Sequence, residues 1–146
     1  MKRMTPVAIA AIASAAAVLI SCSDNSPKEP KTVWGEYGGQ LTELVGEQCS
    51  FMSMPTECVD ATASRAELTK LVSDRLANEP ITSNVEAALR QISSINQFYS
   101  KFTTGECGNY ADTNVIKSQA SRNCASDADS VQDYFATLAE ITEKVG

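Results

Sequence analysis

The sequence predicts a small all-α protein, an antiparallel bundle of four or five helices with two disulfides, behind a cleaved signal peptide and a short tether. Apolar residues recur every three or four positions over most of the second half of the chain, which is the period of one face of an α-helix. No run of alternating β-branched or aromatic residues competes as a strand. Stripes of this kind joined by short connections favour an antiparallel bundle.

The first segment, residues 1–21, has the composition of a signal peptide. Lys2 and Arg3 precede an apolar run that extends from Val7 to Ile20. This run is shorter than the roughly 20 residues that span a bilayer, and it matches the roughly 7–15 residues of a signal-peptide core. The alternatives are a transmembrane helix, an ordinary secretory signal and a buried core helix.

The apolar run ends in Leu-Ile-Ser-Cys at residues 19–22. This sequence resembles the lipobox of bacterial lipoproteins, in which the cysteine is acylated and becomes the first residue of the mature protein. The resemblance covers residues 1–31 and names no activity. It implies that Cys22 carries acyl chains, that a lipid bilayer is a partner and that the domain is extracytoplasmic. Ser23 after the cysteine resembles an outer-membrane sorting signal if the host has two membranes; otherwise the site is the cell membrane.

Residues 22–31 are predicted to be a lipidated tether, because they are polar and contain two prolines. The nine residues after Cys22 reach at most about 30 Å. The remainder, 32–146, has the size of one disulfide-stapled helical domain.

Two helices are predicted before residue 80. The first begins after Gly38 and Gly39 and ends before Pro55, and the second ends at the breaker sequence Asn-Glu-Pro of residues 78–80. The segment 114–124 is a further short candidate helix. The apolar positions of the first two helices are Leu41, Leu44, Val45, Phe51 and Met52, followed by Leu68, Leu71, Val72 and Leu76.

A regular stripe from Val85 to Phe102 predicts a five-turn helix, which Leu89 widens on one side. Ser83 and Glu86 have the spacing of a capping box at its start.

The last segment repeats this pattern from Val131 to Val145, with Phe135 beside the stripe. Ser126 is the predicted N-cap, and Asp127 and Asp129 would face the positive end of the helix dipole.

Cys49, Cys58, Cys107 and Cys124 form an even set, which outside the cytoplasm predicts two disulfides. Three pairings exist, and the local pairs Cys49–Cys58 and Cys107–Cys124 are favoured because each brackets a helix connection. A redox or metal role for the thiols is the alternative. The chain has no Cys-x-x-Cys motif and no histidine, so structural bridges are expected.

Residues that commonly carry catalysis are largely missing. The absence of histidine removes the usual general base and the common zinc and haem ligand, and no phosphate-binding or nucleophile motif is present. A carboxylate pair remains conceivable, but a domain of this size offers little cleft. We therefore expect no enzyme, no cofactor and no metal site.

Charge argues against nucleic acid as a partner. The chain has 12 basic and 18 acidic residues, and removal of Lys2 and Arg3 leaves 10 basic residues and a net charge of −8. Phosphate binding needs clustered Lys and Arg, which the mature region lacks.

Asp127, Asp129 and Asp133 are the nearest approach to an ion site. They lack the glycine and the final glutamate of a calcium loop, so acidic decoration of a helix N-terminus is the favoured interpretation.

Three aromatic residues are candidate partner contacts, namely Trp34, Tyr37 and Tyr110. Trp34 and Tyr37 follow the tether closely and could touch a partner or lipid headgroups, or they could close the tether end of the bundle. Tyr110 lies in the Cys107–Cys124 loop, a common position for recognition. Met52 and Met54 could form a flexible binding spot or fill space beneath the first disulfide.

These observations favour a membrane-anchored envelope lipoprotein that acts as a non-enzymatic protein-interaction module, with another envelope protein as partner. The alternative is a binder of a small or apolar ligand between the helices, which requires a cavity.

Overall fold

The computed structural model describes residues 31–47, 49, 55–111 and 118–145. Within these ranges the chain forms four α-helices and no strand, which confirms the predicted all-α fold. The helices are α1 (Val33–Gly46), α2 (Thr56–Leu76), α3 (Ser83–Thr104) and α4 (Gln119–Thr142), with a 3-10 helix at Cys107–Tyr110 between α3 and α4. The signal segment, the lipidation residue Cys22 and the residues Phe51, Met52 and Met54 lie outside the described residues.

The four helices alternate in direction. The tether end of the bundle is defined by Lys31, Arg75, Asn84 and Lys144: the Arg75 guanidinium donates to the Lys31 carbonyl (2.8 Å), and the Asn84 amide donates to the Lys144 carbonyl (2.9 Å). The disulfide end is defined by the bridges Cys49–Cys58 and Cys107–Cys124, which confirm the local pairing. The helices α2 and α4 also contact each other across the bundle.

The core follows the helical stripes of all four helices. Phe135 is fully buried at its centre, although the sequence pattern placed this residue beside the stripe. The other large buried residues are Val33, Leu41, Leu68, Val72, Leu76, Val85, Ile92, Ile95, Val131 and Leu138. A second, smaller cluster gathers Phe102, Ala125 and Ala128 around the cysteines.

Helix α1 begins earlier than predicted, and it ends at Gly46 instead of just before Pro55, because the backbone of Glu47 is extended. Thr32 caps it by accepting a hydrogen bond from the Gly35 N–H at 3.0 Å, so Gly38 and Gly39 lie inside the helix instead of before it. A side-chain oxygen that satisfies a free N–H of the first turn outweighs the weak helix propensity of two glycines.

Helix α3 matches its predicted extent, but its cap is Thr82 and not Ser83. The Thr82 hydroxyl accepts from the Val85 N–H at 3.2 Å, and Ser83 is the first helical residue. Leu71 and Leu89, predicted to belong to the apolar stripes, are 48% and 42% exposed because they lie on the outer edges of α2 and α3.

Helix α4 begins at Gln119, so Ser126 is not its cap. Of the predicted short helix 114–124, residues 114–117 lie outside the described residues, and residues 119–124 belong to α4. Ser118 and Ser121 cap each other: each hydroxyl accepts from the other residue's backbone N–H. The buried residues of the two extra turns are small, so an apolar-stripe search does not detect them.

None of the described helices combines the length and the apolar character that a membrane crossing requires.

Candidate functional site

The two ends of the bundle differ in construction. At the tether end the chain enters beside Arg75, whose guanidinium pairs with the carboxylates of Glu36 (3.3 Å) and Glu79. At the disulfide end, both bridges tie the first two turns of a helix to the segment that follows the preceding helix. Cys58 lies in the first turn of α2, and Cys124 lies in the second turn of α4.

The Cys49–Cys58 bridge is held from two sides. The backbone N–H of Cys49 donates to the side-chain oxygen of Gln132 on α4 at 2.6 Å. From α2, Arg65 approaches the bridge, and its Nη1 lies 3.6 Å from Cys49 Sγ. Residues of three elements therefore meet at Cys49.

Arg65 has no exposed surface. Its Nε and Nη2 donate to the carbonyl oxygen of Leu44 at 3.2 and 2.9 Å, and Nη2 also donates to the carbonyl of Glu47. These are the terminal carbonyls of α1, which carry the negative end of the helix dipole. Burial lowers the pKa of Arg65, and the Glu47 carboxylate opposes this effect.

Arg65 is the functional candidate that sequence reasoning missed. It lies on the buried stripe of α2, with Ala61 four residues before it and Leu68 three residues after it. A charged residue on an apolar stripe is the signal that could have found it, because Arg is almost never fully buried unless it is paired.

The second bridge, Cys107–Cys124, joins the 3-10 helix to α4. Cys124 Sγ lies 3.8 Å from the carbonyl oxygen of Gly105. Gly108 and Asn109 of the 3-10 helix are exposed, and Tyr110 is half-buried against the cysteine cluster. The disulfide end thus has a short exposed segment, Gly108 and Asn109, next to a disulfide that links it to α4.

Trp34 and Tyr37 both lie in α1 and pack partly buried against the main core. Trp34 borders a shallow recess beside Ala139 and Glu140 of α4. Tyr37 lies on the α2 side; desolvation and its hydrogen bond to Glu36 raise its pKa. The structure thus separates these two residues from Tyr110, which lies at the opposite end of the bundle.

The acidic residues Asp127 and Asp129 lie within α4 and not at its start. Partial burial raises the pKa of Asp127, opposed by Lys101, and burial together with Asp133 raises the pKa of Asp129. Among the described residues, no three His, Cys, Asp or Glu side chains come together in a way that could hold a metal ion.

The grooves of this bundle open on its surface, and the space between the helices is filled by Phe135 and its neighbours. One groove of about 490 Å³ runs between the end of α3 and the start of α4, lined by Lys101, Asn123 and Asp127. Another of about 410 Å³ lies between α2 and α3, beside Lys70 and Tyr99. Both are mixed in polarity, so neither resembles an apolar ligand site.

Comparison with protein-family models, with curated proteins and with solved structures finds no match for this chain.

Proposed function

We propose that this chain is a bacterial envelope lipoprotein, anchored to a membrane through acylated Cys22, and that its helical domain is a non-enzymatic module that docks another envelope protein. The observation that supports the proposal is that the two ends of the bundle differ in construction. The chain enters beside Arg75 at one end, and the two disulfides close the opposite end.

A short tether would place the two ends of the bundle at different distances from the bilayer. The nine residues 23–31 hold the tether end within about 30 Å of the bilayer. The acyl chains contribute about 0.8 kcal/mol of membrane binding per buried methylene. The disulfide end then lies farthest from the lipid. Its bridges limit the motion that a partner would have to arrest, which lowers the entropic cost of docking.

The candidate contacts fall into two groups. Tyr110 and the exposed Asn109 belong to the disulfide end, where an outward-facing partner would bind. Trp34 and Tyr37 pack against the core as well as reaching solvent, so replacement by Phe tests their surface contribution without emptying the core.

The anchor is tested by cell fractionation of Cys22→Ala, with Ser23→Ala as the matched control. We expect Cys22→Ala to move from the membrane to the soluble fraction, and Ser23→Ala to stay with the membrane. Unchanged membrane association of Cys22→Ala would refute the anchor. In a two-membrane host, Ser23→Asp should keep the protein membrane-bound and change which membrane holds it.

Docking is tested by crosslinking in intact cells, followed by purification of the lipidated protein. We expect one stoichiometric envelope partner, whose recovery falls at least about fivefold for Asn109→Arg, the change of about 1 kcal/mol typical of an interface residue. Asn78→Arg, an exposed asparagine at the tether end, is the control and should leave recovery unchanged. If recovery of the partner falls for Asn78→Arg and not for Asn109→Arg, the partner binds the tether end. Capture of no protein would contradict the docking function.

A further inference from the structure

The hydrogen bond from Arg65 to Cys49 differs in strength between the oxidised and the reduced form of the first disulfide. Arg65 is fully buried, and three of its four hydrogen bonds go to backbone carbonyls. The fourth goes to Cys49 Sγ at 3.6 Å. A disulfide sulfur is neutral and accepts hydrogen bonds weakly, whereas a thiolate at the same place would form a charge-assisted bond.

We propose that Cys49–Cys58 is a thiol-exchange site that opens to thiol reductants, with the Arg65 guanidinium as the group that stabilises the Cys49 thiolate, and that Cys107–Cys124 is a permanent cross-link. Arg65 contributes more to the reduced form than to the oxidised form, so it shifts the equilibrium toward opening. A cationic neighbour is the usual cause of a reactive cysteine.

The second bridge lies against a backbone carbonyl. Cys124 Sγ faces the Gly105 carbonyl oxygen at 3.8 Å, whose partial negative charge disfavours a thiolate. A carbonyl also lies near the first bridge, since the Cys58 oxygen is 3.6 Å from Cys49 Sγ. The first bridge also receives a hydrogen bond from the positively charged guanidinium of Arg65.

Access to solvent points the same way. Cys49 keeps 8% of its surface exposed, whereas Cys58, Cys107 and Cys124 keep 1–2%. The first bridge is therefore more accessible to a reductant from solvent than the second. The Glu47 carboxylate acts electrostatically on Arg65, and the neutral Gln132 amide accepts from the Cys49 N–H.

With a dithiol as reductant, the exchange runs in two steps. One thiolate of the dithiol attacks Cys58 Sγ, the disulfide breaks and the electron pair stays on Cys49 Sγ, the leaving group that Arg65 stabilises. The second thiol of the dithiol gives its proton to water, from which Cys58 takes one up in the final step. That second sulfur, now a thiolate, attacks the mixed disulfide. The dithiol leaves as a cyclic disulfide, Cys49 remains as a thiolate beside Arg65, and Cys58 remains a thiol.

The test uses the full protein purified in detergent and equilibrated with graded ratios of reduced to oxidised dithiothreitol. Acid quenching, alkylation and peptide mapping give the state of each cysteine. We expect Cys49–Cys58 to be half-reduced at a ratio at least about tenfold lower than Cys107–Cys124, and Cys49 to be alkylated at pH 6 at least about tenfold faster than Cys124, as expected for a thiol beside a cation. Simultaneous opening of the two bridges, or earlier opening of Cys107–Cys124, would overturn the proposal. Glutathione in place of dithiothreitol should yield a mixed disulfide at Cys58 and not at Cys49, because this leaves Cys49 as the thiolate beside Arg65.

Removal of the charge separates electrostatics from loss of structure. Arg65→Met should make Cys49–Cys58 harder to reduce and Cys49 slower to alkylate, whereas simple loosening of the bundle would speed the reaction of all four cysteines. Arg75→Met is the matched control. Arg75 also lies on α2 and also donates to a backbone carbonyl, that of Lys31 just before α1, but it lies at the tether end, away from both disulfides. If Arg65→Met does not fold, the comparison of the two bridges in the native protein still decides the proposal.

Discussion

Gly38 and Gly39 of α1 differ in how closely neighbouring side chains pack against them. The ring of Trp34 lies over Gly38, where an added Cβ would come within 2.8 Å of two ring atoms. Around Gly39 nothing lies within 4 Å of such an atom. Two adjacent glycines in one helix therefore have different roles: Gly38 makes room for an aromatic ring, and Gly39 only adds backbone freedom to the unfolded chain.

The substitutions Gly39→Ala and Gly38→Ala should act in opposite directions. Gly39→Ala should raise the free energy of unfolding by about 0.5–1 kcal/mol, the usual gain for alanine in a helix. Gly38→Ala should lower it, because overpacking against Trp34 costs about 1–3 kcal/mol. Urea unfolding followed by circular dichroism measures both. Equal effects of the two changes would show that the ring does not restrict Gly38.

Asp127 gives a pH dependence of known sign. Burial raises its pKa above the ordinary 3.8, so the folded chain holds the proton more tightly than the unfolded chain, and stability is lost as pH rises through the folded pKa. Asp127→Asn should therefore raise the melting temperature at pH 7, with the gain disappearing below about pH 3.8. Thermal unfolding at both pH values measures it, with the exposed Glu140→Gln as control. A gain that is equal at both pH values would rule out ionisation as its cause.

At the scale of helices, the caps decide where each element begins. The stripes of large apolar residues correctly predicted α3 over most of its length, because Val85, Ile92 and Phe102 are both apolar and buried. The starts of α1 and α4 depend instead on hydroxyl groups of Thr32 and Ser118. Such residues are common in loops too, so only the local geometry distinguishes a cap from a loop residue.

The cap of α3 can be tested with adjacent residues. Thr82→Ala should lower the free energy of unfolding by about 1 kcal/mol, because the Val85 N–H loses its acceptor. Ser83→Ala should change it by less than about 0.5 kcal/mol, as for an exposed helical position. Chemical denaturation of the two variants side by side measures the difference. A larger loss with Ser83→Ala would restore the capping box predicted from the sequence.

At the scale of the whole molecule, the disulfides and Arg65 close one end of the bundle. The bridge Cys107–Cys124 spans 17 positions and fixes the chain between α3 and α4. The pairing of these two cysteines could be predicted, because a local pair brackets one helix connection. The carbonyl partners of Arg65 could not be predicted, since they depend on the end of α1 folding back onto α2; only its place on the apolar stripe of α2 indicates burial.

Joint replacement of Cys107 and Cys124 by alanine should lower the free energy of unfolding by about 3 kcal/mol, the entropy of a closed loop of this length. Urea unfolding under non-reducing conditions measures it, and helical content by far-ultraviolet circular dichroism serves as the control for folding. A loss below about 1 kcal/mol would mean that packing of the second core cluster, not the covalent bond, holds this end together.

The sequence by itself predicted the helical class and the local disulfide pairing, because both depend on spacing along the chain, and the lipid anchor stays a prediction. The tertiary structure decided which residues are buried at the margins of the stripes, so that Phe135 occupies the centre of the core and Leu71 faces solvent. It also decided the environment of Arg65, because a buried charge is tolerated only where distant carbonyls and a sulfur atom converge on it. That convergence distinguishes two disulfides that look alike in the sequence.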